Sequence, residues 1–99
     1  MEELNKEKII SILRNQFSFL NEKYHLRTIG LFGSYARNLN DENSDVDLIV
    51  DFEKPIGLDF VEMGDYLENL FKKKVDLITS EGLKNSKLKL NEDQIIYVS

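Results

Sequence analysis

Residues 45 to 52 read Asp-Val-Asp-Leu-Ile-Val-Asp-Phe, with an apolar residue at every even position and aspartate at three of the four odd ones. In an extended strand this places Asp45, Asp47, Ile49 and Asp51 on one face and Val46, Leu48, Val50 and Phe52 on the other. The apolar face demands cover from helices, while the acidic face opens to solvent or to a ligand. A sheet covered on one side is therefore the frame into which the remaining segments must fit.

Those segments supply the cover. From Leu4 to Leu20 the apolar residues Ile9, Ile10, Leu13, Phe17 and Leu20 recur at helical spacing. Thr28-Ile29-Gly30-Leu31-Phe32 is a short strand ending at Gly33-Ser34, after which Tyr35-Ala36-Arg37 begins a helix. Asn38 to Ser44 is a polar loop. Beyond the turn at Lys54-Pro55-Ile56-Gly57, Leu58 to Phe71 reads as a second long helix, weakened at Gly64, and Val75 to Thr79 as a third strand bounded by Ser80-Glu81-Gly82. Lys84 to Asn91 fits a short helix or a loop, and Ile95 to Val98 an edge strand or a helix end. The order helix, strand, strand, helix, strand is an α+β pattern: a small mixed β-sheet with helices packed on one face.

At 99 residues the chain is expected to form a single domain spanning residues 1–99. It has no cysteine and only one histidine, His25, which excludes a disulfide framework and clustered zinc sites. Any metal must accept oxygen ligands, as magnesium and manganese do. No apolar run is long enough for a signal peptide or a membrane span, so a cytoplasmic protein is expected. A net charge of −5 disfavours sequence-independent binding to nucleic acid, which depends on excess Lys and Arg.

The carboxylates are the hardest residues to explain by folding alone. Asp45 and Asp47 project from one strand face about 7 Å apart along the backbone, and a divalent cation between them would remove their repulsion. Magnesium usually takes one or two protein carboxylates and fills its remaining positions with water and substrate phosphates. Asp76 interrupts the apolar run Val75-Asp76-Leu77-Ile78, where a buried unpaired carboxylate would be costly, and so is a candidate third ligand for a second ion. Gly33 offers a close backbone approach, Ser34 a hydroxyl, and the helix start its free N–H groups, which together suit phosphate. Arg37 is placed to pair with a phosphate or to anchor the loop bearing Asp41 and Glu42.

Taken together, Gly33-Ser34-Tyr35-Ala36-Arg37, a polar loop and Ser44-Asp45-Val46-Asp47-Leu48 make the chain resemble the DNA polymerase β-type nucleotidyltransferase superfamily. Within it the match is to the minimal nucleotidyltransferases, the MNT domains encoded beside HEPN-domain partners in toxin–antitoxin pairs. Residues 25 to 80 carry the most specific part of this resemblance. It implies the polymerase β-like palm fold, Asp45, Asp47 and Asp76 as catalytic metal ligands, and nucleotide binding at Gly33 and Ser34, with Arg37 and Ser44 at motif positions beside them. It further implies Mg2+ as cofactor, as two ions, with Mn2+ a possible substitute, and ATP or another NTP as substrate. AMP would pass to a hydroxyl acceptor, a tyrosine of a HEPN-type toxin, with this chain as antitoxin. A homodimer or hetero-oligomer would complete the acceptor side. The family pattern often has Gly after the Arg; Asn38 stands here instead, a residue that tolerates left-handed backbone.

Competing readings are plainer. The chain could mask a HEPN partner without turnover, or nucleotidylate a small molecule. Gly33-Ser34 could be a turn and helix cap, and Asp76 could pair with Lys72, Lys73 or Lys74. Asp51 reads as solvated, His25 as an exposed connector residue, and the lysines at 72–74, 84, 87 and 89 as solvated surface. Tyr35 and Tyr97 read as core or rim aromatics, with Tyr35 near enough to the Gly-Ser turn to touch a base or ribose.

Overall fold

A computed structural model describes residues 3–85 and 94–98. Its centre is strand β2 (Val46–Phe52), whose alternation is realised in part: Val46, Leu48 and Val50 are buried and Asp47 and Asp51 half-buried, but Ile49 on the acidic side is buried as well and Phe52 is only half-buried. On one side β2 pairs antiparallel with β1 (Leu26–Phe32), and on the other parallel with β3 (Val75–Thr79). A two-residue strand β4 (Ile96–Tyr97) pairs antiparallel with β1, giving the order β3-β2-β1-β4. Of the two readings of the C-terminal segment, the edge strand is therefore the one observed. Residues 86–93, most of the segment read as a short helix or a loop, lie outside the described residues.

The helices form where periodicity and capping coincide. Helix α1 (Lys6–Tyr24) starts at Asn5, whose side chain accepts the Lys8 N–H at 2.8 Å. It runs one turn beyond the expected Leu20 because Tyr24 continues the apolar stripe of Ile9, Leu13 and Leu20. It stops at His25, which adopts left-handed backbone at φ 60°. His25 is thus a half-buried helix terminator rather than an exposed connector residue, and its carbonyl accepts the Glu53 N–H. Helix α3 (Asp59–Phe71) buries Met63, Leu67 and Phe71 at four-residue spacing and ends at Lys72, again left-handed. A Cβ at Gly64 would stand 3.3 Å from Leu77 Cδ1 of β3, so this glycine lets α3 pack closely on the sheet.

One detail of β1 lay beyond the sequence pattern. The pairing shifts by one residue at Arg27, between Leu26↔Phe52 and Thr28↔Asp51. This bulge puts Leu26 on the same apolar face as Ile29 and Leu31, which simple alternation would forbid. The Arg27 guanidinium secures it by donating to the Phe52 carbonyl at 2.7 Å. A short helix α2 (Gly33–Ala36) follows β1 directly, and another, α4 (Ser80–Lys84), follows β3 where the sequence suggested only a boundary. Thr79 caps α4 by accepting the Gly82 N–H at 2.9 Å.

The side chains of α1 and α3 and the apolar face of the sheet form one buried cluster, including Leu13, Tyr24, Ile29, Leu48, Met63 and Leu67. No helix among the described residues is long and apolar enough to cross a membrane. Leu13 is fully enclosed whereas Leu58, before α3, is 87% exposed. Leu13→Ala is expected to cost about 2–5 kcal/mol in urea unfolding, and Leu58→Ala to stay within about 0.5 kcal/mol of the parent.

Candidate active site

The site begins where β1 ends. Phe32 is the register partner of Asp47, so the next residue, Gly33, is carried past the Asp47 side chain. Gly33 sits at φ 77°, a left-handed conformation that strains other residues. A Cβ at this position would also overlap Asp47 Oδ2 and lie 2.9 Å from its Cγ. Only glycine satisfies both conditions. The turn is closed by backbone bonds, with the Arg37 N–H donating to the Gly33 and Ser34 carbonyls and the Leu39 N–H to Ser34 at 2.8 Å. Asn38, standing where the family pattern often has glycine, takes φ 57°, as its tolerance for that region allows.

The carboxylates meet from two strands. Asp47 and Asp76 are direct partners in the parallel β2–β3 register. Burial first, and then the charges of Asp76 and Asp45, push the Asp47 carboxyl up from 3.8 to about 6. The burial argument for Asp76 does not hold, since β3 is an edge strand and Asp76 is exposed. Desolvation acts on Asp47, its half-buried neighbour, which is held against the Gly33 turn. Among the described residues no group of three or more acidic or imidazole side chains forms a cage by itself that could hold a metal ion. The donor set instead suits a hard cation whose coordination is completed by water and phosphate oxygens, the usual habit of magnesium. With no Cβ at Gly33, the Asp47 carboxylate lies directly against the backbone of the turn.

The other sequence-derived residues divide into two groups. Ser34 is half-buried beside Gly33, and no hydrogen bond or ion pair engages its hydroxyl among the described residues. Arg37 is exposed, and its guanidinium likewise makes no hydrogen bond or ion pair among the described residues, so it does not anchor the loop. That work falls to Ser44, whose Oγ accepts the Asp41 N–H at 2.9 Å, and to Lys73, whose Nζ donates to the Glu42 carbonyl at 2.6 Å. Tyr35 is turned inward by α2 and is 1% exposed in the core, which removes it as a contact for base or ribose. Asp51 is not solvated either: its Oδ2 accepts from Thr28 Oγ1 at 3.1 Å and Ser80 Oγ at 2.7 Å, tying β1, β2 and α4 together.

Lys73 is the residue that sequence reasoning missed. It is the middle of three consecutive lysines, and nothing in their composition marks it from Lys72 and Lys74. A concavity of about 890 Å³ lies at the opposite end of β2, lined by residues such as Phe52, Ile56, Phe60 and Ile78. It does not include Gly33, Asp45, Asp47 or Asp76, and a shallow acidic surface needs a charged ligand rather than an apolar cleft.

Comparison with known proteins identifies relatives of the whole chain. The nucleotidyltransferase domain family model matches residues 10–98. Protein adenylyltransferase MntA of Thermococcus cleftensis is 43% identical over 96 residues, covering 96% of this chain and 97% of that one. A Methanocaldococcus jannaschii protein with a provisional designation as a protein adenylyltransferase is 45% identical over 93 residues, covering 92% and 95%. Among solved structures, a chain from the crystal structure of a toxin–antitoxin with AMP-PNP superimposes with a TM-score of 0.66 at 26% identity. That alignment covers 97% of this chain and 73% of the other.

Two outcomes test the site's local physics. Gly33→Ala should destabilise the wild-type chain by about 1 kcal/mol or more for the backbone conformation alone. It should cost less in an Asp47→Ala background, where the overlap is gone; double-mutant unfolding cycles would read this coupling. For Asp47, the folded-state carboxyl titrates above the unfolded one, so the folded state binds more protons between 3.8 and about 6. Without divalent cations, stability should therefore fall as the pH rises through that window. Asp47→Asn should flatten the slope and be the more stable form at pH 7, as measured by urea midpoints across pH.

Proposed function

The chain belongs to the nucleotidyltransferase domain family, and from that premise we propose that it transfers AMP from ATP to a hydroxyl group of a partner protein, releasing pyrophosphate. The observation that carries this reading is the pairing of Asp47 with Asp76 across adjacent strands, directly beside the close backbone approach at Gly33. Similar proteins named protein adenylyltransferases support the acceptor class. The toxin–antitoxin likeness supports an antitoxin role; in this reading the acceptor is a tyrosine of a HEPN-type toxin.

In this reading Asp45, Asp47 and Asp76 would together hold Mg2+. Bound magnesium would supply charge neutralisation at the triphosphate and a lowered pKa at the attacking hydroxyl. The Gly33 turn receives the phosphates with no side chain in the way, and the Ser34 hydroxyl donates to one of their oxygens. The unengaged Arg37 guanidinium swings onto the triphosphate as a charged fork. Ser44 contributes by holding the loop before Asp45, since its hydroxyl is already bonded to Asp41. Asp76, exposed on the outer strand, is the carboxylate best placed to accept the acceptor's proton. The chain works as one minimal domain in the cytoplasm, with the partner supplying the acceptor.

Incubation with labelled ATP, Mg2+ and a HEPN-type partner tests the proposal. Label should appear on the partner, and Asp45→Asn or Asp47→Asn should reduce it by about 100-fold or more while the protein stays folded. Unchanged labelling in both variants would defeat the assignment. Inhibition of the partner without any label would instead favour masking by contact.

A further inference from the structure

The lysine run before β3 contains one residue that behaves unlike its neighbours. Lys72 and Lys74 are exposed, whereas Lys73 is half-buried and reaches back across the sheet end. Its Nζ donates to the Glu42 carbonyl at 2.6 Å and lies 3.5 Å from the Ser44 carbonyl. Ser44 immediately precedes Asp45, and Lys73 stands three residues before Asp76. One ammonium therefore links the loop that delivers the first carboxylate to the segment that delivers the third.

We propose that Lys73 is a positioning residue that fixes Asp45 relative to Asp76, so that both carboxylates face the same cation. This rests on the reading of that acidic surface as a divalent-cation site. Its target atoms argue for the role: a lysine present to neutralise the aspartates would point at carboxylates, but this one points at neutral carbonyls. Other bonds leave the need for it plain. Val46 N–H donates to the Lys74 carbonyl at 2.9 Å, and Val75 N–H to Glu68 Oε2 at 2.9 Å, which fix the strands themselves. Asp41 accepts the Asn43 N–H at 2.8 Å and bonds Ser44, which shapes the loop internally. Lys73 is the side chain that joins the shaped loop to β3.

The sign of one measurement separates this role from a simple charge effect. Removing a positive charge near a cation site strengthens cation binding through Coulomb attraction alone. Removing a strap weakens it, because the ligands are no longer held in place. Mn2+ affinity should be read from the electron paramagnetic resonance signal of free Mn2+, with thermal midpoints taken on the same samples. Lys73→Met is expected to weaken Mn2+ binding about tenfold and to speed amide hydrogen exchange at residues 42–45 in metal-free protein. Lys73→Arg, which can still bridge two carbonyls, should restore most of both. Lys74→Met, which removes the same charge without the strap, should leave binding equal or slightly tighter. If Lys73→Met binds Mn2+ as tightly as wild type or more tightly, the inference is overturned while the cation site stands. If the wild-type protein binds no Mn2+, both fall together.

Discussion

The contact on which this molecule turns is the passage of the Gly33 backbone across the carboxylate of Asp47. Strand register puts Phe32 opposite Asp47, so the chain leaving β1 has to cross that side chain at close range. A left-handed glycine makes the crossing without a clash. The crossing withdraws water from Asp47 and brings a bare stretch of backbone beside it. The same few atoms thus disfavour the charge on Asp47 and set bare backbone beside it, and in the proposed reading a bound cation would compensate that charge.

Around that contact the fold works as a set of restraints of different strength. The sheet ladders fix Asp47 against Asp76 directly, since the two are neighbours in a parallel register. Asp45 lies just before β2, where the ladder begins, and depends on the Asp41–Ser44 turn and on Lys73. Asp51, at the far end of the same face, spends its oxygen on Thr28 and Ser80 and so belongs to the scaffold. Four aspartates on or beside one strand face, or paired with it, therefore serve different ends according to how rigidly each is held and what it already bonds.

Much of this was legible in the residues. Alternation from Asp45 to Phe52 identified the strand and both of its faces, because a period of two has no other economical reading. Gly33 after an apolar run signalled the turn, and Val75 to Thr79 appeared with its observed bounds. What escaped had physical reasons. The bulge at Arg27 carries no glycine or proline, and only pairing with β2 reveals it. The burial assigned to Asp76 assumed an inner strand, yet strand order is a tertiary property, and β3 lies outermost. Tyr35 sits in the motif but is rotated into the core by a four-residue helix whose phase no short pattern determines. Lys73 differs from two identical neighbours only by where its chain bends.

The outermost place of β3 also bears on what can reach the site. A strand at a sheet margin has a hydrogen-bonded neighbour on one side only, so Asp76 borders open space along its flank as well as above the sheet. An incoming hydroxyl need not be small enough to descend into a cleft. In the proposed reaction it can be carried sideways to the edge on the surface of a body as large as the domain itself, with no lid among the described residues to part.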